Sequence, residues 1–391
     1  MKKFLAVLLA LVMVLGLVAC GGGNTETQPK ETKPAESTPA DTTPAVSDVE
    51  YKIAMITDYG DITDQSFNQT TYEACVAFSE AHNVPMTYYR PIGDSTAERV
   101  AMVDAAIIDG YNVIVMPGFA FGETLAECAE MYPEIKFIAL DVADGEGGFH
   151  AMENVFSAVY QEQLSGYMAG YAAVKLGYKH LGYLGGMAVP AVQRFGYGFL
   201  QGVDAAAAEL GVTSEIKVEW IYGNQFYGDA DITAVMDTWY GEKGVECVFA
   251  CGGGIWTSAA EAAAKVDGKV IGVDVDQAAT IDAVYGEGMT ITSAMKGLAP
   301  TVDAVLSAII LEDNWAAYAG KIESLGLVSA DPEANYVQIP MESTLWSDTF
   351  TQDDYKALVA AMFDGTIVVS DNIAEFPTTA VAVEQYANIK G

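Results

Sequence analysis

Basic residues and histidine are scarce in this sequence, and each shortage removes a class of function. Lysine and arginine together number 19 against 53 acidic residues, so the formal net charge is −34. A chain with this charge is repelled by the phosphates of nucleic acid, and we expect no nucleic acid partner. The three histidines, His82, His150 and His180, are scattered along the chain. Since they form no metal-binding motif with the cysteines, we also expect no metal site.

Cysteine is scarce too, with five in 391 residues. Cys247 and Cys251 bracket the end of a predicted strand, but the other ligands that a zinc site needs are missing. We expect these two residues, together with Cys75 and Cys128, to be small buried side chains in helices and strands. No spacing marks a disulfide, and the sequence leaves the redox state of these cysteines open.

Recognisable catalytic motifs are missing as well. The sequence has no Gly-x-Ser-x-Gly nucleophile motif and no Walker glycine loop, and the glycines of "ACGGGIW" lack the spacing of a dinucleotide site. Asp58, Asp61 and Asp64 lie close together, but neither the glycine nor the distal glutamate of a calcium loop follows them. With no nucleophile, base or cofactor loop, the sequence favours a binding protein over an enzyme, and we expect no cofactor.

The first 49 residues are typical of an exported protein that is tethered to a membrane. Two lysines precede an apolar run that ends in "LVAC" before a glycine. This layout is typical of a bacterial lipoprotein signal, and it predicts a signal peptide at residues 1–19 and lipidation of Cys20. The alternative is an ordinary signal peptide that is cut elsewhere. Residues 20–49 are rich in Gly, Thr, Pro and Glu, so we expect a disordered linker on the extracytoplasmic face of the cell membrane.

From Tyr51 onward, short apolar runs alternate with segments of helical periodicity, such as residues 96–110 and 257–268. Continuous apolar strands between helices are typical of parallel sheets covered on both faces, which predicts an α/β fold. Eleven candidate strands exceed what one such sheet normally needs, so we predict two doubly wound lobes. The candidate strands are residues 52–57, 86–91, 112–117, 136–140, 180–185, 216–222, 247–250, 270–274, 290–294, 335–340 and 366–370.

Three of these strands end in an aspartate, namely Asp58, Asp141 and Asp274. Ligands of open parallel sheets bind beyond the carboxyl ends of the strands. An ionised carboxylate there can accept two hydrogen bonds from a vicinal diol, which suits a neutral ligand rich in hydroxyl groups. An aspartate after a strand can instead cap the next helix, but three at corresponding strand ends favour a binding site. Gly118 and Gly252 follow other strands and allow close approach of a ligand.

Several motifs between residues 52 and 300 resemble those of the basic membrane protein family, the lipoprotein substrate-binding components of ABC importers that include purine nucleoside receptors. They are "ITDYGDITDQSFNQ", "YQEQLSGYMAGYAA", "GYLGGMAVPAVQRFGYGFLQG", "GVDVDQ" and "TSAMKG". The resemblance implies a type I periplasmic-binding-protein fold, with two lobes, crossover hinge segments and a ligand cleft between the lobes. We assign residues 50–155 and about 286–325 to lobe 1, and about 156–285 and 326–391 to lobe 2.

The resemblance also implies how a nucleoside is held, with two aromatic rings on the base and acids, amides and a lysine on the ribose. The candidate ligand-binding residues are Asp58, Phe67, Asn68, Gly118, Phe119, Asp141, Phe226, Gly252, Trp256, Asp274 and Lys296. Two alternatives stay open. Phe67 can be a core ring at the start of a helix, and Asp274 with Lys296 can be an ion pair that supports the fold.

This chain departs from the family pattern at two points. Asp61 stands where the family usually has a second glycine, which bears on the conformation of the loop. Phe226 lies three residues after Gly223 instead of two, so its neighbour Tyr227 is a second candidate for the stacking ring. Trp256 adds a further bulky side chain near the expected base pocket, and the sequence leaves the preferred base open.

The function implied by the resemblance is capture of a nucleoside by hinge closure, followed by delivery to a permease and an ATPase encoded as separate chains. Two rivals share the fold, a sugar receptor and a sensory receptor that signals instead of transporting. An enzyme that cleaves nucleosides would need a calcium-binding acid cluster or a phosphate site, for which the sequence offers no motif.

Overall fold

The structure is a computed structural model that describes residues 49–391. The predicted signal peptide at residues 1–19, the predicted lipidation site Cys20 and all but the last residue of the predicted linker lie outside the described residues. Among residues 49–391, no helix combines the length and the apolar character needed to cross a membrane.

Strands and helices alternate along the described chain. The strands are β1 (Ile53–Ile56), β2 (Met86–Tyr89), β3 (Val113–Pro117), β4 (Lys136–Leu140), β5 (Val155–Tyr160), β6 (His180–Gly185), β7 (Lys217–Tyr222), β8 (Cys247–Cys251), β9 (Lys269–Asp274), β10 (Thr290–Lys296), β11 (Lys321–Leu325), β12 (Val337–Gln338) and β13 (Ala382–Gln385). The helices are α1 (Phe67–His82), α2 (Thr96–Ile108), α3 (Gly122–Met131), α4 (Glu162–Lys175), α5 (Pro190–Leu210), α6 (Ala230–Asp237), α7 (Trp256–Ala263), α8 (Ala278–Tyr285), α9 (Leu298–Ile310) and α10 (Gln352–Phe363).

The strands form two sheets, and the predicted α/β fold with two doubly wound sheets is confirmed. The first sheet has the order β11-β5-β4-β3-β1-β2, and all of its pairs are parallel. The second has the order β12-β10-β9-β8-β6-β7-β13, in which only β12 runs antiparallel to its neighbour. Parallel strands need crossover helices, and the helices between the strands supply them.

Sheet membership differs from the predicted lobe boundaries at two points. β5 belongs to the first sheet, so the chain leaves that sheet after Tyr160 and not at about residue 155. β10 pairs with β9 in the second sheet, so the return comes after Lys296 and not at about residue 286. The reason is that residues 290–296 are almost entirely buried and complete the second sheet beside β9. A third crossing follows Leu325, as the chain passes from β11 to β12.

One predicted strand is wrong, and three observed strands were not predicted. Residues 366–370 form no strand, because Ser370 bonds through its amide and its carbonyl to the Gln201 side chain on α5, and Val369 packs into the core. The edge strands β11 and β13 are half-exposed and carry charged residues, so they lack the continuous apolar run used for the prediction. The third missed strand, β5, is a buried apolar run that meets the same rule as the predicted ones.

Helices α4 and α5 pack in close contact, and this contact positions part of the cleft. Cβ atoms at Gly166 and Gly170 of α4 would lie 2.1 and 2.2 Å from the backbone oxygens of Phe195 and Phe199 on α5. Only glycine permits this approach. The small residues of the "YQEQLSGYMAGYAA" motif therefore bring the N-terminal halves of the two helices together.

The four cysteines of the described residues have free, buried thiols. They are Cys75, Cys128, Cys247 and Cys251, and each lies in the apolar core of its lobe. Within residues 49–391, no group of three or more His, Cys, Asp or Glu side chains is placed to hold a metal ion. These cysteines therefore contribute apolar packing volume to the core.

Candidate ligand-binding site

A cleft of about 560 Å³ lies at the carboxyl ends of the strands of both sheets. Its volume is typical of small-molecule sites, which range from roughly 300 to 1,000 Å³. All eleven side chains or backbone positions predicted to bind ligand, from Asp58 to Lys296, line this cleft. The structure therefore brings the predicted residues together, and their contact with a ligand stays a prediction.

A buried cluster of charges occupies one end of the cleft. The Nζ of Lys296 donates to Asp141 Oδ2 at 2.5 Å and lies 3.4 Å from Glu162 Oε1 and 3.7 Å from Asp274 Oδ1. The side chain of Lys296 is only 3% exposed. Arg194 on α5 donates from its Nε to Glu162 Oε2 at 2.6 Å, so the α4–α5 contact joins the cluster.

The electrostatics of this cluster favour a neutral ligand that donates hydrogen bonds. Burial alone would lower the pKa of Lys296, but the carboxylates of Asp141, Glu162 and Asp274 raise that pKa above its ordinary value. With the cation of Arg194 included, three carboxylates face two cations, and one negative charge is left over. Asp141 Oδ1 is buried and has no hydrogen-bond partner among the described residues. Hydroxyl donors are therefore favoured here, and phosphates are repelled.

The two sheets present their polar groups to the cleft in the same way. Asp141 and Asp274 both have left-handed backbone conformations, with φ of 63° and 68°, at the ends of β4 and β9. On the neighbouring strands, Gly118 and Gly252 follow β3 and β8 with φ of 127° and 147°. A Cβ at Gly118 would lie 2.6 Å from a carboxylate oxygen of Asp58, so a larger residue there would displace that carboxylate. Strained backbone of this kind is concentrated at functional sites.

Most of the polar groups between β1 and α1 fold the loop itself. Asp58 Oδ1 accepts hydrogen bonds of 2.7 Å from the amides of Tyr59 and Gly60. Asp64 accepts from the amides at the start of α1, including Asn68 N at 3.0 Å. Asp61, the departure from the family pattern, pairs with Arg90 at 2.5 Å near the surface. Asn68 is buried, and its Oδ1 has no partner among the described residues.

Aromatic side chains line another part of the cleft. The ring of Phe226 lies against Gly186 and Gly252, and it stacks on Tyr59 with ring centroids 6.2 Å apart at 24°. Tyr227, the other candidate, is 63% exposed, although it also lines the cleft. This geometry favours Phe226 as the stacking ring.

Phe67 and Trp256 have mixed surroundings. Phe67 lines the cleft and also packs against the core of the first lobe, and its ring centroid lies 4.6 Å from Lys296 Nζ. Phe67 therefore has the surroundings expected of a ligand-binding ring and also those of a core ring at the start of a helix. Trp256, in the first turn of α7, lines the cleft and is nearly buried, and its Nε1 has no partner among the described residues.

Some residues of the site were not predicted from the sequence. Glu162 and Arg194 complete the charged cluster. Each is the one charged residue of its sequence motif, and that was the signal available for predicting it. Tyr59 follows Asp58 directly in the loop, and that adjacency was its only signal. Ser66 donates to Asp274 Oδ2 at 2.5 Å across the cleft, and nothing local in the sequence indicates that contact.

The sequence matches known proteins over most of its length. Residues 51–340 match the sequence profile of the Bmp family, described as "ABC transporter substrate-binding protein PnrA-like". The chain is 29% identical over 241 residues to the "ABC transporter nucleoside-binding protein BmpA" of Lactococcus lactis, covering 58% of this chain and 65% of that protein. It is 27% identical over 282 residues to "Basic membrane protein B" of Borreliella afzelii, covering 71% and 78%.

Solved structures of other proteins superpose on this fold. A solute-binding protein of an ABC transporter system from Aeropyrum pernix superposes with a TM-score of 0.63 at 22% identity, covering 81% of this chain and 87% of that one. A second, from Conexibacter woesei, gives a TM-score of 0.62 at 20% identity, covering 82% and 99%. These superpositions show the fold, and the sequence match over residues 51–340 establishes that the chain belongs to the Bmp family of PnrA-like ABC transporter substrate-binding proteins, which bind substrates and are not enzymes.

Proposed function

We propose that the protein binds a nucleoside, specifically a purine nucleoside, in this cleft. The observation that carries the proposal is the presence of two unlike surfaces in one cleft. The cluster of Asp141, Asp274 and Lys296 suits hydroxyl groups, and the stacked rings of Tyr59 and Phe226 suit a flat base. The name of the Lactococcus relative, a nucleoside-binding protein, supports the same ligand class.

The ribose is assigned to the charged cluster. Asp141 Oδ1 is buried without a partner among the described residues, so a ligand hydroxyl that donates to it would satisfy an otherwise costly acceptor. Lys296 Nζ, which donates to Asp141, cannot accept a hydrogen bond. A ligand oxygen beside Lys296 must therefore accept a hydrogen bond, whereas a ligand hydroxyl beside Asp141 must donate one.

The base is assigned to the aromatic side. Stacking of a base on Phe226 is worth roughly 1 to 3 kcal/mol in comparable contacts. Asn68 can donate from its amide nitrogen and accept at its unpartnered Oδ1, which suits the mixed donors and acceptors of a purine edge. Trp256 Nε1 can only donate, so it would require an acceptor atom on the ligand.

Binding is coupled to closure of the two lobes. Ser66 donates to Asp274, and the side chain of Gln277 donates to the backbone oxygen of Gln65 at 2.9 Å, so hydrogen bonds join the two sides of the cleft. A ligand that touches both sides shifts the open–closed equilibrium by its greater affinity for the closed form. We further propose that Cys20 carries a lipid that holds the protein on the extracytoplasmic face, and that it delivers its cargo to a separate permease and ATPase.

A thermal shift panel tests the ligand class. The purified protein is unfolded and refolded to strip any bound ligand, then heated with inosine, guanosine, adenosine, uridine, free bases, ribose, galactose and inosine monophosphate. We expect a Tm rise of several degrees with purine nucleosides, because stabilisation grows with the logarithm of ligand concentration over Kd. Ribose and free bases should give little, and the monophosphate should bind far more weakly since the cluster is net negative. A response to galactose alone would indicate a sugar receptor.

Affinity should fall in mildly acidic solution. Burial raises the pKa of Asp58 to about 6, against the hydrogen bonds from the Gly60 and Tyr59 amides. A ligand group that donates to Asp58 prefers the ionised carboxylate, so binding lowers this pKa and releases protons at low pH. Burial also raises the pKa of Asp141, the proposed ribose acceptor, to about 6. The Kd should therefore be flat above about pH 7 and weaken below pH 6, by at most about tenfold per pH unit for each carboxylate that is protonated. Calorimetric titration with inosine from pH 5 to 8 measures this profile.

The matched control for the pH profile is Asp58→Asn, which keeps the size of the side chain and removes its charge. We expect weaker binding whose pH dependence between 5 and 7 is reduced. A wild-type Kd that is constant over this range, or that improves as the pH falls, would exclude Asp58 as a group whose ionisation supports binding.

A further inference from the structure

The loop that carries Phe226 is held at both of its ends by two consecutive residues far away in the sequence. Ile389 donates from its amide to the carbonyl oxygen of Tyr222, the last residue of β7, at 2.9 Å. Lys390 Nζ lies 2.9 Å from Asp229 Oδ2, and Asp229 is the N-cap of α6. These two contacts bracket the loop of residues 223–228, and we call Ile389 and Lys390 the clamp.

Asp229 transmits the clamp to the loop. Its Oδ1 accepts from the amides of Asp231 and Ile232, which starts α6, and its Oδ2 accepts from the side chain of Gln225 at 3.0 Å. The same Gln225 nitrogen donates to the carbonyl oxygen of Tyr227 at 2.8 Å. Lys390 also donates a hydrogen bond to Asp231 Oδ2 in the first turn of α6. The ion pair of Lys390 with Asp229 and the two hydrogen bonds of Gln225 therefore connect Lys390 to the residues on either side of Phe226.

The clamp is itself firmly anchored. β13 pairs with β7, and Tyr386 continues this pairing by donating from its amide to the carbonyl oxygen of Trp220 at 2.9 Å. The hydroxyl of Tyr386 donates to the fully buried Glu219 and accepts from Lys243 Nζ at 2.7 Å. Tyr386 and Ile389 also pack against the core of the second lobe. An anchored clamp restricts the loop, whereas a loose one would move with it.

The clamp lies outside the part of the chain that defines its family. The family match ends at residue 340, so the match implies nothing about residues 389 and 390. We propose that Lys390 is a positioning residue that holds the Phe226 loop in its ligand-ready conformation and thereby sets affinity for the aromatic part of the ligand. This inference rests on the proposed function.

The physical reason is the entropy of the loop. Gly223 and Gly228 stand at its two ends and leave its backbone many conformations, so a loop released from Lys390 must be ordered when the ligand binds. The carbonyl oxygen of Phe226 also accepts from the amide of Gly254 at 2.8 Å, which keeps part of the order. We therefore expect a moderate effect, a Kd for inosine about three- to tenfold weaker.

The test substitutions are Lys390→Met, its conservative counterpart Lys390→Arg and the control Lys265→Met. Lys265 also pairs with carboxylates of the second lobe, Asp237 at 2.8 Å and Glu261 at 3.7 Å, and both partners lie outside the loop. We expect Lys390→Met to weaken inosine binding, Lys390→Arg to restore it to within about twofold, and Lys265→Met to leave it unchanged. In a Phe226→Ala background, Lys390→Met should change the Kd little, since no ring remains to be positioned.

Hydrogen exchange on the ligand-free protein separates this inference from the proposed function. In Lys390→Met, the amides of residues 223–228 should exchange faster while those of β7 and the core keep their protection. If the wild type binds no nucleoside, the proposed function fails, and the affinity part of the inference fails with it. If the wild type binds inosine and Lys390→Met binds equally well, or exchange in the loop is unchanged, the role of the clamp is overturned.

Discussion

Replacing Lys296 with methionine is expected to abolish nucleoside binding and to lower the free energy of unfolding by about 3–5 kcal/mol. Methionine keeps most of the side-chain volume, so the change removes the charge and little else. Asp141, Glu162 and Asp274 would then share a buried region in which Arg194 is the remaining cation of the described cluster. Urea denaturation and calorimetric titration with inosine measure the two effects.

An exposed ion pair provides the control for Lys296→Met. Lys179 pairs with Glu215, and both side chains are about half exposed, so Lys179→Met should change stability by less than about 1 kcal/mol. Adding Asp141→Asn to Lys296→Met should recover part of the lost stability, because one of the crowded carboxylates is then neutral. If Lys296→Met were as stable as the wild type, Asp141, Glu162 and Asp274 would not all be ionised around Lys296. The proposed net negative charge of the cluster would then be wrong.

Replacing Phe226 with alanine is expected to weaken inosine binding by about 1 to 3 kcal/mol, or roughly 5- to 150-fold. The ring is the stacking partner of Tyr59 and lies against Gly186 and Gly252, the glycines that follow β6 and β8, so its removal opens the aromatic side of the cleft. The protein should remain folded, because Phe226 is only partly buried at the edge of the core. Titration calorimetry with inosine gives the Kd, and thermal unfolding without ligand checks the fold.

The neighbouring Tyr227 is the matched control, because it belongs to the same loop and is largely exposed. We expect Tyr227→Ala to bind inosine within about twofold of the wild type, because a surface substitution usually changes the free energy by no more than about 0.5 kcal/mol. A larger loss for Tyr227→Ala than for Phe226→Ala would reverse the assignment of the stacking ring.

The parts of the fold that depend on local pattern were predictable. β1, β3, β4, β8 and β9 are buried on both faces, so each shows the continuous apolar run that identifies such a strand. β5 shows the same kind of apolar run, so it could have been predicted in the same way. β11 and β13 were not, because an edge strand with exposed charged residues has the same local pattern as a surface loop.

In the candidate site too, some residues were predictable from local sequence and others were not. Asp58, Asp141 and Asp274 were predictable because chain direction places all strand ends of one sheet on the same side. Glu162 and Arg194 were not, since their contact with Lys296 and with each other depends on how closely two helices pack. The role of Lys390 is further removed still, because it acts on residues more than a hundred positions earlier in the sequence.

The order of strands in the two sheets also has a consequence for biosynthesis. Phe156 of β5 pairs with Lys321 of β11, and Lys217 of β7 pairs with Ala382 of β13, so each sheet receives an edge strand long after its neighbour has been made. Pairings between such distant segments form slowly. Both lobes must then remain incomplete while the ribosome is still at work. For a chain predicted to carry a signal peptide and a lipid anchor, we expect this delay to keep both lobes from folding completely during synthesis, which suits export through a translocation pore.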